Sequence, residues 1–162
     1  MKTDELFRGF GANTQERTKA IFSSIFVMQN RMQTACEKIQ TEISIKQWLL
    51  IAMTMSFPEP RTLTAVGSLM GCSRQNVKKL ALALEEKGFV RLISGVNNSV
   101  QIELTQKALD YSTQMAERQE RTMQLLFSEF SEQEIQQLFE LYAKLYAGIE
   151  KVENYAEEKN RK

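Results

Sequence analysis

Arg74, Gln75, Asn76, Lys78 and Lys79 fall within one short run, and together they hold the side chains suited to reading and gripping a polyanion. An arginine pairs bidentately with a guanine edge, and Gln or Asn offers the donor and acceptor pair that matches adenine. Lysines are point charges that suit phosphates, which hold a duplex in register without reporting its sequence. Such chemistry needs the whole set on one exposed face at the start of a helix. Val77, Leu80, Ala81 and Leu84 supply the other half of that requirement. Their i, i+3, i+4, i+7 spacing forms one apolar stripe, so the polar cluster faces outward as a set. A surface helix can carry similar residues for solubility alone, and the joint pattern of cluster and stripe weighs against that plainer reading.

The elements that would position the cluster are written into LTAVGSLMGCSRQNVKKLALALEEKGFV, residues 63–90. Two short helices crossing steeply must touch closely, which favours a residue as small as Gly67 in the first. Gly71 stands where the first helix has to stop, in a position that accepts φ > 0 without a Cβ clash. Thr64 is expected to cap the first helix and Ser73 the second, each through a side-chain oxygen that accepts from free N–H groups. Lys87-Gly88 then closes the second helix with a cation in the last turn and a glycine beyond it. Val90 and Leu92, followed by Val100, Ile102 and Leu104 with Gln101 and Glu103 between them, alternate as a half-buried hairpin does. Gly95-Val96-Asn97-Asn98 provides its turn. The spacing therefore predicts a helix-turn-helix with a wing, to which Arg61-Thr62-Leu63 could add a third, very short strand.

Charge follows the same division. The chain has 162 residues and a formal net charge of +1, but residues 61–107 hold seven Lys or Arg against three Glu, and residues 108–162 hold seven against eleven acids. The positive excess thus sits on the helix-turn-helix segment, as expected when one part of a molecule meets a polyanion. Without an apolar run long enough for a span or a signal peptide, the expectation is a cytoplasmic protein with no membrane partner. Cys36 and Cys72 read as reduced packing residues, an oxidation-sensing thiol being the alternative. There is no histidine, no metal-ligand cluster, no G-x-S-x-G and no phosphate-cradling glycine loop, so neither an enzyme nor a metal or cofactor is expected.

In chain order, the first dozen residues read as a loose arm. A long helix is predicted from Thr14 to Ile39, with Ile21, Ile25, Met28, Met32, Ala35 and Ile39 at steps of four and three and with Phe22 and Phe26 widening the stripe. Ser44-Ile45-Lys46-Gln47 has the form of a capping box that opens a helix through Trp48, Leu49, Ile51 and Met55, ending near Phe57. Pro58-Glu59-Pro60 marks the boundary into the helix-turn-helix. After the wing, Thr105 opens a third long helix, and Ser131-Glu132-Gln133-Glu134 a last one carrying Ile135, Leu138, Tyr142, Leu145, Ile149 and Val152. The long terminal stripes exceed what the small central module can cover. Packing two copies together would bury them in a symmetric homodimer. The fold class is thus mainly α with a small β-hairpin: a winged helix-turn-helix with long N- and C-terminal dimerisation helices. It is read as one domain spanning 1–162, made of N-terminal helices (14–57), the winged module (61–104) and C-terminal helices (105–157).

This order of elements resembles the MarR family of bacterial transcription regulators over nearly the whole chain. Gly71, Ser73-Arg74, Val77 and Glu85-Glu86-Lys87-Gly88-Phe89-Val90 look like the family's recognition helix and its exit, and Leu104-Thr105 like its strand-to-helix junction. The resemblance implies a homodimeric winged-helix protein, usually a repressor, that binds a pseudo-palindromic double-stranded DNA operator and is often released by a small-molecule effector. It also implies a ligand cavity between dimer helices and DNA module, for which Phe26 and Trp48 are the candidate lining residues. The wing departs from the family pattern, in which the loop commonly carries an acid and an arginine. Here it reads Ser94-Gly95-Val96-Asn97-Asn98-Ser99. Asn97 and Asn98 can still hydrogen-bond in a minor groove, and Arg91 at the wing's base can reach a phosphate. The candidate DNA-contacting set is accordingly Thr64, Ser73, Arg74, Gln75, Asn76, Lys78, Lys79, Arg91, Asn97 and Asn98. A winged-helix protein-interaction adaptor, whose neutral wing no longer needs DNA, is the competing function.

Overall fold

The computed structural model describes residue 11 and residues 13–160. The expected N-terminal arm lies outside them except for Gly11. Among the described residues, six α-helices and one hairpin follow in order: α1 Thr14–Glu37, α2 Ile45–Ser56, α3 Leu63–Met70, α4 Arg74–Glu86, β1 Val90–Ser94, β2 Val100–Leu104, α5 Gln106–Leu126 and α6 Glu132–Asn160. Two compact units can be distinguished, residues 1–114 and residues 115–162.

Local chemistry sets the boundaries. The Asn13 side chain accepts from Glu16 N–H at 3.0 Å to open α1. The helix ends at Glu37, two residues short of the expected Ile39, where Ile39 and Gln40 both donate to the Cys36 carbonyl. At Ser44 the anticipated capping box is complete: Gln47 N–H donates to the serine oxygen at 3.2 Å, and the Gln47 side chain accepts from Ser44 N–H at 3.0 Å. Two orphan donors at the start of α2 are thereby satisfied reciprocally.

The core of residues 1–114 forms where α2, α3, α4 and the hairpin converge. Leu50, Ile51, Leu63, Val66, Val77, Ala81, Leu84, Phe89, Val90, Ile102 and Ala108 are fully or almost fully buried. Each large aliphatic side chain removed from water there contributes roughly 1.5–3 kcal/mol, so this small core can hold the motif rigidly. Thr54 is buried as well, and its hydroxyl is satisfied by the Leu50 carbonyl at 2.7 Å. Trp48 is half-buried, as are both cysteines, which are free thiols.

The hairpin is antiparallel, with Val90 opposite Leu104 and Ser94 opposite Val100. The third strand expected at Arg61-Thr62-Leu63 does not form. Thr62 makes a single bridge to Gln101 and Ile102 N–H donates to the Arg61 carbonyl at 2.9 Å, after which Leu63 already begins α3. Burying Leu63 in the first turn of a helix leaves no residue to extend the ladder. Thr105 also behaves differently from a simple cap. Its hydroxyl donates back to the Gly88 and Phe89 carbonyls, at 2.7 and 2.9 Å, and so ties the hairpin's last strand to the exit of α4.

Within residues 115–162, Phe127 and Phe130 meet edge to face at 5.7 Å in the turn between α5 and α6. The second capping box is also present: Ser131 N–H and Oγ both donate to Glu134 Oε2, and Glu134 N–H donates to Ser131 Oγ. Along α6, Ile135, Tyr142, Leu145, Ile149 and Val152 are exposed, with Phe139 at 71%. On α1, Ile21, Phe22, Ile25, Phe26 and Met28 are exposed too. No helix among the described residues is long and apolar enough to cross a membrane.

Candidate nucleic-acid interface

The site is built around the start of α4. α3 ends at Gly71, whose φ of 62° lies in the left-handed region, and Cys72 N–H closes back on the Gly67 carbonyl at 2.9 Å. The close crossing expected at Gly67 is there: a Cβ at this position would stand 2.8 Å from the Cys72 carbonyl oxygen and 3.3 Å from Val77 Cγ2. Ser73 caps α4 as expected, its side chain accepting from Asn76 N–H at 3.3 Å. The cap of α3 is Thr62, not Thr64. Thr62 is extended (φ −74°, ψ 155°) and accepts from Ala65 N–H at 3.1 Å, while Thr64 is already inside the helix. The reason is tertiary, because the hydrogen bond between the Arg61 carbonyl and Ile102 holds the preceding residues extended beside the wing and moves the start two residues earlier than local pattern implies. Thr64 is nevertheless exposed on the first turn of α3.

Arg74, Gln75, Asn76, Lys78 and Lys79 are all exposed, and Val77 among them is fully buried. The stripe and the polar cluster thus occupy opposite sides of α4, although Leu80 is half-buried rather than enclosed. Arg91 is exposed on β1, opposite Glu103 across the hairpin. Among the described residues, Arg74, Lys78, Lys79 and Arg91 form no hydrogen bond or ion pair, so their charges are available to a ligand.

Other cations of the same segment are committed internally. Arg61 Nε donates to the Phe57 carbonyl at 3.3 Å, Lys87 Nζ to the Glu42 carbonyl at 2.8 Å, and Lys107 pairs with the Glu42 carboxylate at 3.0 Å. Sequence reasoning counted these three toward the positive excess and did not find their partners; for Lys87 and Lys107, no local pattern signals a lysine bonded across such a chain separation. It also missed Glu85, whose carboxylate accepts from Leu92 N–H at 2.7 Å and joins the end of α4 to the wing.

At the wing tip, a tight turn over Val96–Asn98 is closed by Ser99 N–H donating to the Val96 carbonyl at 3.2 Å, and Gly95 N–H donates to the Ser99 carbonyl at 2.8 Å. Asn97 and Asn98 both have positive φ, 56° and 57°. Asparagine tolerates this conformation better than most residues, so the backbone alone accounts for the pair. Val96 is 79% exposed. The candidate lining residues lie apart in burial: Phe26 is exposed on α1, stacked edge to face on Phe22 at 5.4 Å, and Trp48 is half-buried on α2. A shallow depression on the last turns of α1 is lined by Asn30, Gln33, Thr34, Glu37 and Lys38 and includes neither of them. No group of His, Cys, Asp and Glu able to hold a metal occurs among the described residues.

Capped helices crossing at a glycine, an exposed basic second helix and a hairpin wing define a winged helix-turn-helix protein. The fold is that of the MarR-family transcriptional regulators. A MarR/EmrR family regulator from Acinetobacter sp. ADP1 superposes with a TM-score of 0.75 at 19% identity, over 83% of this chain and 97% of that one. The S. aureus MepR–DNA complex gives 0.69 at 19% identity, over 79% and 97% of the two chains. The organohalide-sensing regulator RdhR-CbdbA1625 in its 2,4-dichlorophenol-bound form gives 0.70 at 16%, over 85% and 86%. No family profile and no curated protein sequence matches the chain.

Proposed function

We propose that this protein is a sequence-specific, non-enzymatic DNA-binding transcription regulator: a homodimeric repressor that acts on a pseudo-palindromic operator and is released by a small-molecule ligand. The observation that carries the reading is the polarity of α4. Its first two turns present Arg74, Gln75, Asn76, Lys78 and Lys79 unpartnered to solvent, while its far end is bonded into the fold through Glu85 and Lys87. A helix held at one end and chemically free at the other can enter a major groove. Among proteins of this fold, MepR is seen with DNA and RdhR-CbdbA1625 with a chlorophenol. The exposed apolar faces of α1 and α6 support a second copy as their cover, since a two-fold protein matches a two-fold operator. Thr64, Ser73, Arg91, Asn97 and Asn98 complete the proposed DNA-facing set, and Phe26 and Trp48 are the residues proposed to meet a ligand.

Selection from a random duplex library tests this reading. The expected result is an enriched inverted repeat whose half-site centres lie one helical turn apart or a multiple of it. The neutral, apolar wing tip at Val96 favours a second reading, a protein-interaction adaptor, and recovery of no preferred sequence would transfer the assignment to it.

A further inference from the structure

Lys87 and Lys107 converge on the linker between α1 and α2. Lys87 Nζ donates to the Glu42 carbonyl at 2.8 Å and to Gln47 Oε1 at 3.4 Å, the same oxygen that accepts from Ser44 in the capping box of α2. Lys107 Nζ pairs with the Glu42 carboxylate at 3.0 Å, donates to the Lys87 carbonyl at 3.2 Å, and lies 4.4 Å above the Phe89 ring. Phe89 in turn meets Tyr111 edge to face at 5.4 Å, and the Tyr111 hydroxyl donates to Gln40 Oε1 at 2.7 Å, in the same linker. Ile43, between Glu42 and Ser44, is buried. The far end of α4, the start of α5 and the α1–α2 linker thus meet in one polar knot, away from the residues that face DNA.

From this geometry we infer that Glu42, Lys87 and Lys107 form a latch that fixes the angle of α4 against the rest of residues 1–114, making them positioning residues for sequence recognition. The inference rests on the DNA-binding reading. A recognition helix must present its base-reading side chains in register, and a helix free to rock loses the specific geometry while keeping its phosphate contacts. Glu42 and Lys107 are each about half exposed (48% and 47% of side-chain area), so their pair is replaceable without unfolding the protein.

Glu42→Gln and Lys107→Met separate the latch from bulk electrostatics, because they change net charge in opposite directions. The measurement is the ratio of affinities for the selected operator and for a mixed-sequence duplex. The latch predicts that both variants lower this ratio, each by about twofold to fivefold, the range of an exposed ion pair. The double variant should be no worse than either single, and Lys107→Arg should stay near wild type because it keeps the charge. Ratios that move in opposite directions, full additivity in the double variant, or no change would overturn the latch. If the wild-type protein prefers no sequence, the DNA reading has failed and the latch is judged by amide hydrogen exchange. Faster exchange in both variants, confined to residues 38–44 and 87–89, supports it, and unchanged exchange overturns it.

Discussion

Arg74 and Lys79 belong to the same exposed end of α4, yet they are expected to fail in different ways when removed. Arg74→Ala or Gln75→Ala should lose roughly 1–3 kcal/mol on the preferred duplex and discriminate less at one base pair. Lys79→Ala should weaken all duplexes alike and flatten the salt dependence, a phosphate contact carrying no sequence information. Equal losses on specific and random DNA for all three would contradict the division. At the wing, the positive φ values of Asn97 and Asn98 make these poor sites for added charge, since a longer side chain there would also strain the turn by about 1–2 kcal/mol. Val96 has no such constraint. Val96→Arg is expected to steepen the salt slope by up to about 2 in a dimer, at roughly −0.9 per phosphate neutralised, and an unchanged slope would mean that the wing tip does not approach DNA. At this scale the sequence was legible where the cause was local. Ser73 and Gly71 announce themselves by type and offset, whereas Thr62 displaced Thr64 as the cap because of a hydrogen bond to a residue on the far side of the wing.

Helices and hairpin were legible because burial imposes their periods, as the enclosed Val77, Ala81 and Leu84 show for α4. The third strand expected at Arg61-Thr62-Leu63 shrank to a single bridge, since three residues carry no period and Leu63 is taken by the first turn of α3. The tight crossing of α3 and α4 gives the sharpest test at this level. Alanine for Gly67 would improve helix propensity by about 1 kcal/mol, but its Cβ would press 2.8 Å from a backbone oxygen. Overpacking of this kind costs about 1–3 kcal/mol, so Gly67→Ala should lower the melting temperature and weaken operator binding together. A raised melting temperature would show that the crossing is looser than described. At the start of α6, the Ser131 backbone N–H, and secondarily its hydroxyl, hold the Glu134 carboxyl below the usual carboxylate range. A lowered value in the folded state means that the stabilisation is present above the unfolded value of ~4.3 and is lost as pH falls through the folded one. NMR titration should find Glu134 below the other exposed glutamates. Ser131→Ala should raise it only part of the way, because the backbone donor survives, and an ordinary value in the wild-type protein would refute the cap.

For the whole molecule, the apolar stripes of α1 and α6 could be read from spacing, but the internal use of positive charge could not. Arg61, Lys87 and Lys107 count toward the basic excess of residues 61–107 and yet bond to carbonyls and a carboxylate of the chain itself. The electrostatic footprint is therefore narrower than composition implies, with Arg74, Lys78, Lys79 and Arg91 as its exposed members that have no partner within the described residues. That narrowing makes the central claim measurable in a single titration of affinity against salt concentration, on the selected operator and on a mixed duplex. Two copies that each place all four cations on phosphates would give a slope of log K against log salt of about −7 at most, and one copy about half of that. The account predicts a linear fall on both duplexes, steeper than one copy can produce, with the operator bound more tightly at every salt concentration. A slope near zero, or equal affinity for the two duplexes throughout, would contradict it.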